Sequence, residues 1–371
     1  MENFFKSTFL NTSSTHKKKD IQILRAFATC SVVLIHLLNI GLLNIEKGAR
    51  GYWFFQLSHS LLQFAVPCFI FISALVLAYS VKDKPLKIWP YYKKKFFHIF
   101  IPYFLWTFIY IFLKILAGQI SFYKLFRPNS WFYWLAYGKA HTHLYFMSVI
   151  IQFYIVAPFL IFFMRKFCTY IKKHQFFFVV LLAFIPQIFI YWINRLYIYA
   201  YFSSTATLFP WYWYLCVFGL WIGFNYEKWD QKITSHKKLF ISIGVLSILV
   251  YIMYQIALYT QVKISTFYYQ ISWYIYSLTL CITLFYLIKL NYFKFSFEPF
   301  LLWVSEHSFC IYFMHPLLTF VLSRLIPFSN PFLLVLLLSI SFIGILFLCG
   351  FASSWLKKRL FLWVLVGEKE S

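Results

Sequence analysis

Apolar residues run along this chain in long stretches, interrupted by short segments that collect lysine and arginine. An α-helix needs roughly 20 apolar residues to cross the hydrocarbon of a bilayer. Ten stretches approach or exceed that length, at approximately 21–43, 53–80, 97–117, 143–164, 176–194, 207–226, 239–260, 267–288, 300–323 and 332–356. Asn194, Arg195 and a tyrosine-rich stretch blur the junction of the fifth and sixth. The pattern predicts an all-α fold, a polytopic membrane bundle of about ten transmembrane helices.

The interruptions supply an orientation. Assigned alternately to two sides, they place 24 Lys and Arg on one side and nine on the other, with Arg25 inside a span. Cytoplasmic loops carry the excess of positive charge, so both termini are expected on the cytoplasmic side. A missed or extra span would scramble this alternation. Residues 1–19 then read as a cytoplasmic tail, 20–358 as one membrane domain, and 359–371 as a second cytoplasmic tail.

Composition agrees. Residues are 62% hydrophobic and only 12% charged, against about 25% charged in soluble domains. The formal net charge of +24 suggests a nucleic-acid binder. The basic residues sit in short loops between spans, however, so nucleic acid is not an expected partner and the lipid bilayer is. The seven cysteines all fall in apolar stretches, without CxxC or zinc spacing. Neither a disulfide framework nor a metal site is therefore expected. The first 19 residues lack an apolar core ending in a cleavage site, so the first span is expected to be retained. Trp and Tyr near span ends read as interfacial belts.

Within the first span, Arg25 and His36 stand out, because ionisable residues in hydrocarbon are costly and mark function by default. They are eleven residues apart. On an α-helix that is roughly 1100°, about 20° past three turns, and a rise of roughly 16 Å. Both thus share one face. Arg25 reads either as a snorkelling interfacial cation or as an anion site for a phosphorylated cytoplasmic donor. His36, among Leu34, Ile35, Leu37 and Leu38, lies too deep to snorkel. It reads either as a neutral histidine bonded to another helix or as a general base.

Weaker candidates follow. Lys95 and His98, three apart in the run Tyr91–Tyr103, share a helix face on the cytoplasmic side and would complete an anion site. Lys93 and Lys94 read as ordinary loop charge. His315 lies toward the outer part of the ninth span, which Glu306 and His307 open. Glu306 reads as interfacial or as the one carboxylate placed to partner a buried cation. His143 begins the fourth span on the outer side, two residues from His141 but without a third metal ligand in view. A serine-hydrolase elbow and a Walker-type loop are both absent from the sequence.

The segment Gln22 to His36, with ten residues between its Arg and His, resembles the opening signature of the membrane-bound acyltransferase 3 family. Val66-Pro67-Cys68-Phe69-Ile70-Phe71-Ile72-Ser73 resembles its second helix. Lys95-Phe96-Phe97-His98 followed by Pro102-Tyr103 resembles its basic R-x-x-R-then-Pro segment. His143-Leu144-Tyr145-Phe146 resembles the start of its fourth helix, and Ser308 to Pro316 its late His-Pro motif. Two positions depart from the pattern. Gln22 stands where many members have Asp, with Asp20 two residues off, and Lys95 and His98 replace the two arginines. The stretch Ile150-Ile151-Gln152-Phe153-Tyr154 is similar to members that modify surface polysaccharides, including the intercellular-adhesion polysaccharide acyltransferase. No soluble SGNH-like domain follows the last span, which suggests a stand-alone membrane member.

The resemblance implies an enzyme of the bacterial plasma membrane with no bound cofactor. It would move an acyl group, expected to be acetyl, from cytoplasmic acyl-CoA to a hydroxyl of a cell-surface glycan or its lipid-linked precursor. Arg25, Lys95 and His98 would hold donor phosphates, and His36 with Arg25 would be catalytic. His315, His143 and Glu306 would support the acceptor side. The rival expectations are a transporter or flippase for a glycan or acyl group, and a sensor without chemistry.

Overall fold

A computed structural model of the chain describes residues 15–228, 237–290, 297–325, 330–359 and 362–367. Lys6, Lys232, Lys294, Lys369 and most of the two expected tails lie outside the described residues. All regular structure among the described residues is helical. The helices are α1 (Thr15–Asn44), α2 (Arg50–Leu61), α3 (Ala65–Val81), α4 (Ile88–Lys95), α5 (Ile101–Leu116), α6 (Pro128–Ala136) and α7 (Tyr145–Tyr170). They continue with α8 (Gln175–Ile193), α9 (Trp213–Phe224), α10 (Lys237–Tyr259), α11 (Thr266–Lys289), α12 (Glu298–Leu325) and α13 (Pro331–Lys357).

Nine helical segments among the described residues are long and apolar enough to span a membrane. The tenth expected span is shorter, Phe209–Phe224. At about 1.5 Å per residue it reaches roughly 24 Å, short of the roughly 30 Å of hydrocarbon. Its α9 portion is buried from Tyr214 to Gly223, so protein rather than lipid surrounds it. The second span is also interrupted, at Leu62 to Phe64, between α2 and α3.

The helices gather into two compact units, residues 1–69 with 233–350, and residues 70–232 with 351–371. In the first unit α1 and α12 form the most extensive pairing. Lys19 Nζ on α1 lies 2.7 Å from Glu298 Oε1 at the start of α12. Gly41 on α1 leaves room for the ring of Phe55 on α2, where any Cβ would come within 2.2 Å of it.

The second unit shows how proline is accommodated in helices surrounded by apolar groups. Proline has no N–H, so the carbonyl four residues earlier loses its helical donor. Pro158 in α7 thus releases the Tyr154 carbonyl, which accepts a bond from the Tyr91 hydroxyl at 2.9 Å. Pro186 in α8 releases the Leu182 carbonyl, which accepts from Trp213 Nε1 at 2.9 Å. In each case an aromatic donor from another helix replaces the missing N–H, as an apolar setting demands. The short helix α9 packs closely for a second reason. A Cβ at Gly219 would meet the Phe71 carbonyl oxygen at 2.6 Å, and one at Gly223 the Leu75 oxygen at 2.5 Å. The Gly-x-x-x-Gly face of α9 therefore lies directly on α3, with Ala74 and Ala78 opposite.

Two glutamines hold the irregular segment before α9. Buried Gln187 accepts from the Tyr214 N–H and donates to the Trp211 carbonyl. Gln152 accepts from the Phe209 N–H at 2.9 Å and donates to the Thr207 carbonyl at 2.9 Å. Each side-chain amide stands in for the backbone partners that a helix start lacks.

Candidate functional site

The first unit brings His36 and His315 together. His36 lies on α1 and His315 on α12, with ring centroids 5.0 Å apart and planes inclined by 57°. His315 is fully buried. Its Nδ1 lies 2.8 Å from the Ile311 carbonyl oxygen. A carbonyl can only accept, so Nδ1 carries the proton and, in the neutral ring, Nε2 carries the lone pair. Pro316 follows directly and interrupts the helical bonding of α12 at this level. The ring of Tyr312 stands 6.2 Å from that of His315.

Arg25 occupies the same helix as His36, half-buried among Leu24, Ala26 and Ala28, which are fully buried. Thr29, one turn later, donates its hydroxyl to the Arg25 carbonyl at 2.9 Å. One helix thus carries a guanidinium and, about 16 Å along its axis, an imidazole in contact with a second imidazole.

His59 on α2 is a further imidazole of the first unit. The sequence reading did not single it out, although the signal was present as an imidazole within the second apolar stretch. Glu306, on the same helix as His315, is exposed. Nine residues separate it from His315, roughly 900° or half a turn out of phase, so the two project from opposite faces. Its neighbour His307 is buried, and Nδ1 donates to the Trp303 carbonyl at 2.8 Å.

Lys95, His98 and His143 belong to the second unit. Lys95 Nζ sits 3.8 Å from the centroid of the Tyr154 ring and 5.9 Å from that of Tyr91. His98 lies in a π-helical turn, Phe96–Phe100, closed by a bond from the Ile101 N–H to the Phe96 carbonyl. Pro102 explains the turn, since it cannot donate to the His98 carbonyl as an α-helix would require. Such widened turns recur at functional sites. Among the described residues, the buried Nδ1 of His98 makes no hydrogen bond. His143 is buried, with Nδ1 3.0 Å from His141 Nδ1, and both rings pack on Tyr110 at 5.0 and 4.5 Å. One of those two nitrogens carries the shared proton. Among the described residues, no group of three or more His, Cys, Asp or Glu side chains is arranged to hold a metal ion.

Comparison with known families matches residues 18–356 to the acyltransferase domain Acyl_transf_3. No curated protein and no solved structure matches the chain. The match covers the five motif segments named above and both helices that carry the histidine pair. This all-helical membrane protein belongs to the acyltransferase 3 family and is an acyltransferase.

Proposed function

We propose that the protein moves an acyl group, expected to be acetyl, from cytoplasmic acyl-CoA to a hydroxyl of a cell-surface glycan or its lipid-linked precursor. The site of action is the plasma membrane. The observation that carries this reading is the contact of His36, on the helix that also bears Arg25, with His315 on α12. His36 accepts the proton of the acceptor hydroxyl as general base. The oxygen attacks the thioester carbonyl, the new C–O bond forms and the C–S bond breaks. The proton then passes from the imidazolium to the departing thiolate, leaving an ester and coenzyme A. His315 is a positioning residue whose tautomer, fixed by the Ile311 carbonyl, orients the His36 ring.

Arg25 binds donor phosphate at the cytoplasmic rim, where its fork matches phosphate oxygens. Lys95 and His98, on the second unit, are assigned to the donor on their chemistry alone, supported by the unsatisfied Nδ1 of His98. His143 is assigned to the acceptor side on the same basis.

The test is thiol release by purified protein supplied with acetyl-CoA and a candidate acceptor. Coenzyme A should appear in step with acceptor ester. Movement of glycan or acyl group across a vesicle membrane without thiol release would overturn the reading in favour of transport.

A further inference from the structure

The outer end of the second unit carries an imbalance of charge. No carboxylate occurs anywhere in the sequence from residue 84 to residue 226. The segment between α5 and α7 nevertheless presents Lys124 and Arg127, and the loop charges assign it to the outer side, where cations are scarce. Both side chains are exposed. They border a cleft of about 560 Å³ whose other lining includes Asn129, Ser130, Tyr133 and Trp134. That volume falls in the range of small-molecule sites, roughly 300–1,000 Å³.

The cleft stands on a fixed base. The Tyr103 hydroxyl of α5 donates to the carbonyls of Trp134 at 3.2 Å and Leu135 at 2.9 Å, which anchors α6. Trp131 Nε1 donates to the Leu125 carbonyl at 2.8 Å, and its ring stacks on Phe104 at 5.5 Å. The Arg127 guanidinium lies 4.7 Å from the centroid of the Tyr123 ring. Cations are thus displayed beside aromatic rings and an amide, on a packed scaffold, with no protein carboxylate near in sequence to neutralise them. A guanidinium and an ammonium recognise carboxylate or phosphate, and the rings and amide suit the apolar faces and hydroxyls of sugars.

We propose that this cleft is an outward-facing subsite for an acidic saccharide, one bearing carboxylate or phosphate groups along its chain. The inference rests on the reading that the enzyme acylates a glycan, and it narrows that glycan to an anionic class.

The test uses purified full-length protein titrated with oligogalacturonate and with a maltooligosaccharide of equal length. Wild type should bind the acidic oligomer at least tenfold more tightly, with the preference weakening as salt rises. Lys124→Gln with Arg127→Gln should remove the preference, whereas Lys114→Gln should keep it. Tyr133→Ala should weaken both oligomers, and an unchanged melting temperature in each variant shows that the fold survives. Equal binding of the two oligomers, or an unaltered preference in the double variant, overturns the proposal. So does a double variant that loses only its binding to phosphatidylglycerol nanodiscs, which assigns the cations to lipid headgroups. His36→Ala separates the two readings. It should bind the acidic oligomer as wild type does, so full acyl transfer by His36→Ala would remove the catalytic reading and leave this one standing.

Discussion

Two helical stretches each carry a cation and an imidazole, and their surroundings differ. On α1, Arg25 and His36 are eleven residues apart, and the imidazole packs on a second imidazole from α12. In the Lys95–His98 turn they are three apart, and the ammonium rests on the Tyr154 and Tyr91 rings. The first arrangement sets a titratable group against another titratable group. The second supports a cation with π faces, which hold charge without exchanging protons. On the proposed mechanism, proton chemistry falls to α1 and α12, and charge display to the second unit.

Substitutions can break that contrast in order of size. The largest effect is expected from His36→Ala. Loss of a general base costs about 10²- to 10⁴-fold in rate, read as ester formed per inserted protein. His315→Asn comes next. It removes the ring partner, so kcat should fall by more than tenfold while the KM for acyl-CoA stays near wild type. A comparable His36→Ala-like loss from Lys95→Gln, in kcat rather than donor KM, would erase the contrast between the two stretches.

Scaffold changes should act on stability instead. Gly219→Val forces a Cβ against the Phe71 carbonyl, and overpacking costs about 1–3 kcal/mol, measurable as a lower melting temperature. Tyr91→Phe strands the Tyr154 carbonyl released by Pro158, at about 1–3 kcal/mol. The smallest effect concerns Lys82, which bonds Glu227. Burial lowers the Lys82 pKa, but the hydrogen bond and charge of Glu227 outweigh it, so the net shift is upward. Its stabilisation is present below the ordinary lysine pKa and fades as pH rises through the raised one. Glu227→Gln should change stability by no more than about 1 kcal/mol, and only below that range.

Much of this was legible in the order of residues. The apolar runs located most spans to within a few residues, although the third begins at Ile88, nine residues before its expected start, and the sixth is too short to span. The eleven-residue spacing located Arg25 and His36 on one face. The His36–His315 contact was not legible, since 279 positions separate the two and only packing joins them. The shortness of α9 was hidden, since a buried helix and a lipid-facing one share the same apolar composition. The partners of Pro158 and Pro186 were equally hidden, as any aromatic donor on any helix satisfies the chemistry.

The central claim is that His36 and His315 act as one unit. A double-mutant cycle on acyl transfer, using His36→Ala, His315→Asn and the double variant, tests it most directly. Groups that act as a unit give grossly non-additive losses. The double variant should be no slower than His36→Ala alone. Losses that multiply would contradict the account and leave His315 as an independent packing residue.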